Sequence, residues 1–151
     1  PGSGNDPSKR APFFWNDARD NGTTTPPPEC VLPEEYPFGS LEAQSADDSS
    51  LWNYYRQAIA IRQAIPAISH GRTTAETALN VGCVSAFRKT WNDQSVIILM
   101  NIAPDAAQAD LSAYSDWKIA ASLSADGGEI ALNGSMLELP PFATAVLIPN
   151  S

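Results

Sequence analysis

Cysteine is scarce in this chain, with only Cys30 and Cys83 among 151 residues. Two cysteines close one bridge at most, so no disulfide framework holds the fold. Cys30 lies in a proline-rich stretch and Cys83 in a predicted strand, and both are read as free thiols. Histidine is scarcer still. His70 stands alone, which excludes a His-rich metal centre, and its place before Gly71, just past a predicted helix, suits a surface cap. No closely spaced acids make a calcium loop, and the sequence calls for no cofactor and no metal. No apolar run approaches the roughly 20 residues of a membrane-spanning helix. Basic residues are few, nine Lys and Arg against 17 Asp and Glu, for a net charge of −8. The imbalance is uneven: residues 1–48 carry nine acids against Lys9, Arg10 and Arg19, and the remainder eight against six. So acidic a surface argues against nucleic acid or an anionic membrane as partner. A neutral polysaccharide remains compatible, as does any soluble role.

Proline is abundant, and eight of the 13 prolines lie before residue 49, including Pro26-Pro27-Pro28. Apolar periodicity is missing there, so residues 1–48 are predicted to be an irregular loop. A loop of that length in a compact domain points to function or to a packing partner outside it. Its opening, Gly2-Ser3-Gly4-Asn5-Asp6-Pro7-Ser8-Lys9-Arg10-Ala11-Pro12-Phe13-Phe14-Trp15, is the most distinctive stretch. Asp6 and Arg10 stand four apart across a bend at Pro7, and Phe13, Phe14 and Trp15 follow. A carboxylate and a guanidinium so placed clamp each other or a polyhydroxylated ligand. With an indole beside them they supply what a sugar site uses: polar groups for hydroxyls and a flat apolar face for the ring. The same residues also read as a structural salt bridge beside a small aromatic cluster.

The pattern changes at Asp47-Asp48-Ser49-Ser50, which offers an N-cap and negative charge at a helix start. From Leu51 to about Ile65 the apolar positions Leu51, Tyr54, Tyr55, Ala58, Ile61 and Ile65 keep helical spacing, which predicts one buried face. Trp52 and Ile59 widen the apolar surface beyond one stripe, as in a helix lying between two bodies. Pro66 is expected to stop the helix and Gly71 to end the connector. Beyond Gly71 the period falls to two. Strands are predicted over 73–79, 81–90, 95–102, 108–111, 117–122, 129–132, 135–139 and 143–148, with the 95–102 run buried on both faces. Asn133-Gly134 signals a two-residue hairpin turn. Short strands without intervening helices predict a mainly β chain, an antiparallel sandwich preceded by a long irregular loop and one helix. Trp91 falls at a hairpin tip and Trp117 at a strand start. Either could stack on a sugar, though tryptophans of sandwiches more often fill gaps in the core or rim.

Three stretches carry a family resemblance. The run from Gly2 to Trp15 resembles the loop after the eighth barrel strand in the α-amylase superfamily, glycoside hydrolase family thirteen, where it is typically G-x-G-N-D-P-x-x-R-x-P-M-x-W. Ser50-Leu51-Trp52-Asn53-Tyr54-Tyr55-Arg56-Gln57-Ala58-Ile59-Ala60-Ile61-Arg62 is similar to the family's last barrel helix, S-L-L-N-Y-Y-R-x-L-I-x-L-R, and Pro66-Ala67-Ile68 to the P-A-L that ends it. Leu139-Pro140-Pro141-Phe142-Ala143-Thr144-Ala145-Val146-Leu147 is similar to the closing L-P-P-x-x-x-x-V-L strand. Phe13 stands where Met is usual, and the family does not account for an insertion from about Asn21 to Ser40.

The resemblance implies three segments: 1–48 as loop from the end of a catalytic barrel, 49–70 as the last barrel helix, and 71–151 as a C-terminal Greek-key sandwich. It implies that Asp6 and Arg10 hold glucose units in the substrate subsites, with Asn5 and Trp15 supporting the loop. Retaining hydrolysis needs two carboxylates about 5 Å apart. The family draws them from barrel strands that precede these segments, and no acid here matches their motifs. The chain is therefore expected to have no catalytic residue and to be inactive alone, as the C-terminal part of an enzyme acting on α-glucans. The expected partners are the α-glucan substrate, the barrel, and a second copy through the helix face the barrel would cover. The alternatives are a stand-alone carbohydrate-binding module and a purely structural interaction domain.

Overall fold

The computed structural model describes residues 9–20, 24–30, 37–125 and 127–150. The chain divides into two compact units, Pro1–Asn53 and Tyr54–Ser151.

In the first unit, residues predicted as loop form helix α1, Leu41–Ala46. The physical reason is a cap: the Ser40 hydroxyl accepts from the Ala43 N–H at 3.2 Å, and Glu42 places negative charge in the first turn. Leu-Glu-Ala-Gln behind a serine was a legible start signal. Helix α2, Leu51–Ala64, begins where expected. Its cap is Ser50, whose hydroxyl accepts from the Asn53 N–H at 3.2 Å. Asn53 is buried, and its amide donates to the carbonyls of Gln44 and Asp47 at 3.1 and 2.8 Å. Those oxygens at the end of α1 have no partner within a continuing helix. The Gln44 side chain in turn accepts from the Trp52 N–H at 3.2 Å. Two helix ends thus satisfy each other.

The face of α2 expected to be buried is only partly covered. Tyr54, Ala58, Ile61 and Ile65 are half-buried, whereas Leu51 and Tyr55 are 47% and 60% exposed, and Ile59, beyond that stripe, is 52% exposed. The long helix stops at Ala64, ahead of Pro66 as expected, but Pro66 does not begin a loop. It opens a further short helix, α3, Pro66–His70, after Ile65 turns extended. Proline suits a first helical position, where its missing N–H costs nothing. Gly71 caps α3 through its N–H to the Ala67 carbonyl. A Cβ there would overlap the Ala67 oxygen and lie 3.0 Å from Lys89 Cβ, so only glycine fits. The Lys89 ammonium donates to the Ile68 carbonyl, a cation at the helix end.

All eight predicted strands are present: β1 Arg72–Ala75, β2 Val84–Trp91, β3 Gln94–Asn101, β4 Ala107–Asp110, β5 Trp117–Leu123, β6 Ala131–Asn133, β7 Met136–Leu139 and β8 Thr144–Pro149. They form two antiparallel sheets, ordered β1-β2-β3-β8-β5 and β4-β7-β6. The last strand returns between β3 and β5. Between the sheets lies the main core, with Ile97, Leu99, Ala145 and Leu147 from one sheet meeting Ala109, Leu137 and Leu139 from the other. The opposite face of β3, Val96 and Ile98, packs with Val146, Ala67, Ile61, Ile65 and Ile68 beneath α2 and α3. Alternate residues of β3 therefore serve two cores, which is why its apolar run is unbroken. Two details differ from expectation. Residues 77–79 form a 3-10 turn rather than the end of β1. The β6–β7 turn is Gly134-Ser135, between the paired Asn133 and Met136, with Gly134 at φ 64°. The sheet register, not the Asn-Gly dipeptide, centres it one residue later.

Candidate functional site

The N-terminal loop carries the residues singled out for binding. Asn5 and Asp6 lie outside the described residues, so the Asp6–Arg10 clamp is not described either. Arg10 is exposed. From Pro12 the chain alternates: Pro12 and Phe14 are buried, Phe13 and Trp15 exposed by 51% and 46%. The phenyl of Phe13 meets the Trp15 indole edge to face, with centroids 4.9 Å apart. Each ring thus limits the rotation of the other.

Backbone hydrogen bonds hold this segment. The N–H groups of Leu41 and Glu42, in the first turn of α1, donate to the carbonyls of Phe14 and Trp15, both at 3.0 Å. First-turn donors have no intrahelical acceptor, so α1 anchors the aromatic stretch through groups that need partners anyway. Beneath it the Arg19 guanidinium lies 4.3 Å from the centre of the Phe14 ring. Arg19 has φ 59°, a left-handed conformation unusual outside glycine. The turn that imposes it is closed by the Arg19 N–H to the Asn16 carbonyl at 3.2 Å and by the Asn16 amide to Asp20 at 2.7 Å. The sequence did not mark α1, Arg19 or Asn16 as supports. A serine ahead of a helix-forming run was the available signal.

The outcome is an exposed guanidinium and an exposed indole on one hydrogen-bonded segment. Such groups bind hydroxyls and the apolar face of a sugar ring. Acid catalysis would ask for something else, a carboxyl held protonated near neutrality. Among the described residues, the carboxyls with displaced ionisation, Asp47, Glu76 and Asp110, are all displaced downward. Hydrogen bonds from Ser49 lower Asp47, those from Ser112 and Ser135 lower Asp110, and the Arg88 guanidinium is the main cause at Glu76. Also among the described residues, no group of three His, Cys, Asp or Glu side chains is placed to share a metal ion. Cys30 and Cys83 carry free thiols. No described helix is long and apolar enough to cross a membrane.

The two tryptophans of the sandwich take different places. Trp91 ends β2, 38% exposed, its ring 5.2 Å from that of His70. Trp117 starts β5 half-buried against the main core, with the Arg88 guanidinium 4.8 Å over its ring. Arg88 also pairs with Glu76 at 2.8 Å, and Glu76 accepts from the Tyr114 hydroxyl at 2.7 Å.

No family model matches the chain. Among curated proteins it is 26% identical over 102 residues to a probable alpha-glucosidase of Rhizobium meliloti, covering 68% of this chain and 18% of that protein. It is 26% identical over 96 residues to the trehalose-6-phosphate hydrolase of Escherichia coli, covering 64% and 17%. The chain thus spans under a fifth of the length of these relatives. Among solved structures, Amy13B of Eubacterium rectale superimposes with a TM-score of 0.89 at 27% identity, over 99% of this chain and 29% of that one. An alpha-amylase from H. orenii, at 23% identity and a TM-score of 0.70, shares the fold. The chain resembles the C-terminal part of α-amylase-superfamily enzymes, and its relatives are α-glucosidase and amylase-type proteins.

Proposed function

We propose that this chain is the C-terminal part of an α-amylase-type glycoside hydrolase acting on α-glucans such as starch and maltooligosaccharides. In this reading the sandwich and the residues of α2 stabilise a catalytic barrel, and the N-terminal loop supplies substrate contacts. Asp6 and Arg10 hold sugar hydroxyls, while Asn5 and Trp15 keep the loop in shape. The catalytic carboxylates belong to the barrel, and the chain alone turns over no glycoside.

One observation carries the reading. The superposition on Amy13B takes in almost the whole chain, loop and helix as well as sandwich. A stand-alone carbohydrate-binding module has no reason to carry a barrel-type loop and helix, which disfavours that alternative. Exposure agrees: Tyr55 and Ile59 on α2 present large apolar groups of the kind a neighbouring domain covers. With no barrel to cover it, this face pairs with a second copy.

The experiment replaces Arg10 by Ala in the polypeptide that includes the barrel. A hydrogen bond between a charged group and a sugar hydroxyl contributes about 1.5–3 kcal/mol, so kcat/KM on short maltooligosaccharides should fall roughly ten- to a hundredfold. An unchanged specificity constant, or turnover of starch by the pure chain, would refute the assignment. So would an upstream reading frame with no barrel.

A further inference from the structure

A second concavity lies on the sandwich, far along the sequence from the N-terminal loop. It opens where the edge strands β5 and β6 end their sheets, between the 3-10 turn at Ser112–Tyr114 and the Gly134-Ser135 turn. Its volume is about 420 Å³, and Ser112, Tyr114, Ser115, Trp117, Leu132 and Ser135 line it. That size falls within the about 300–1,000 Å³ usual for small-molecule sites.

We propose that this cleft binds a short neutral oligosaccharide, the end or a bend of an α-glucan chain. The class of ligand follows from the wall chemistry. Trp117 offers an indole held on one face by the Arg88 guanidinium, and Leu132, 46% exposed, adds an apolar wall. Three serines line it: the Ser112 and Ser135 hydroxyls give their protons to Asp110 and present oxygens that accept from sugar hydroxyls, and Ser115 adds a third hydroxyl. The nearby charges are already engaged. Glu76 is bound by Arg88 and Tyr114 at 2.8 and 2.7 Å, and Asp110 accepts from the Ser112 N–H and hydroxyl at 2.8 and 3.1 Å. A cleft with an aromatic face, hydroxyls and a hydrogen-bonded carboxylate at its rim suits an uncharged polyol better than an anionic ligand. Its walls are also fixed. The Leu111 N–H donates to the Ser135 carbonyl at 2.7 Å, tying the two rim turns together, and Leu111 and Tyr114 are buried beneath them.

That the saccharide is an α-glucan rests on the proposed function; that it is a neutral saccharide rests on the cleft alone. The test titrates the chain with maltoheptaose and, separately, cellohexaose, following backbone and indole resonances by NMR. The expected result is saturable shifts at Trp117, Leu132 and Ser135 with maltoheptaose. Trp117→Ala should weaken binding at least about tenfold, or about 1.4 kcal/mol. Leu132→Lys, an exposed position where a long charged side chain fills the cleft without touching the core, should do the same in a folded protein. Trp91→Ala should leave affinity unchanged. No saturable shift up to the solubility limit, or binding that survives Leu132→Lys, overturns the proposal. Cellohexaose binding without maltoheptaose overturns the α-glucan assignment and counts against the proposed function. An empty cleft with an impaired Arg10→Ala enzyme overturns the cleft and leaves the proposed function standing, so the two failures are distinguishable.

Discussion

Asn101 is a place where a single side-chain exchange should expose how the sandwich closes. It ends β3 and is 2% exposed. Its side-chain amide donates toward the carbonyls of Asp105, Pro140 and Leu139 at 2.7, 2.9 and 3.2 Å, and its oxygen accepts from the Ala103 N–H at 3.0 Å. One side chain therefore ties the β3–β4 connection to the segment that leads into β8. The amide has two hydrogens, so three carbonyls share two donors, and with the acceptor bond three hydrogen bonds are at stake. At about 0.5–1.5 kcal/mol each, Asn101→Ala should cost about 3 kcal/mol. For a domain near a hundred residues that lowers Tm by about 12 °C or more. Asn101→Asp keeps the shape but turns donors into acceptors, placing a carboxylate against three carbonyl oxygens. Burial and those oxygens raise its folded pKa above the ordinary value of about 3.9. A raised carboxyl leaves the folded state least penalised at low pH, and the penalty grows as pH rises toward the folded pKa. Urea unfolding followed by circular dichroism at pH 4 and pH 7 reads both effects. An Ala variant losing under about 0.5 kcal/mol, below the value of a single bond, would refute the reasoning. So would an Asp variant whose deficit relative to wild type is the same at both pH values.

The Glu76–Arg88–Tyr114 network should shape both ends of the stability profile. The Arg88 hydrogen bond, against burial and with help from Tyr114, holds Glu76 below 4.5, so its contribution is present above that pH and fades as pH falls through the folded value. Burial first, and then the hydrogen bond to Glu76, push Tyr114 up to about 12 from 10.0, so its contribution holds below pH 10 and is lost as pH rises toward 12. Tyr114→Phe should flatten that alkaline loss relative to wild type in urea midpoints, and identical slopes would count against it. The exposed face of α2 should make the chain self-associate, with sedimentation coefficients that rise with concentration. Replacing Tyr55 and Ile59 together by Glu should hold it monomeric, and a wild-type monomer at every concentration would refute that use of the surface.

How far the sequence disclosed this architecture depended on the range of the interactions involved. The strands were readable because alternation is local: Val96 to Leu99 form an unbroken apolar run, and only a strand buried on both faces needs one. Helix α1 was missed because prolines dominate the composition around it, while one serine cap outweighs them at Ser40. The burial of α2 was over-read from its period. Helical spacing identifies an apolar face but not whether this chain supplies its cover, and at Leu51, Tyr55 and Ile59 it does not. The candidate binding residues Arg10 and Trp15 stood out as chemistry, but the support of Phe14 and Trp15, the N–H groups of Leu41 and Glu42, comes from a helix well downstream in sequence and has no signature near the loop.

Among the described residues, the carboxyls with displaced ionisation are held in the charged form. A general acid for glycoside hydrolysis needs surroundings that favour its neutral form. Asp47, Glu76 and Asp110 have the opposite: each accepts hydrogen bonds that favour the anion, from Ser49, from Arg88 and Tyr114, and from Ser112. Each is also structural, closing a turn before α2, pinning β2 to the β4–β5 connection, or fixing the rim of the cleft. Protonating any of them would weaken the hydrogen bonds it accepts. The role proposed for Arg10 and Trp15 is binding, which asks for no proton transfer. A guanidinium and an indole keep one state through a binding event, and the backbone bonds that hold Phe14 and Trp15 do not depend on what either ring touches.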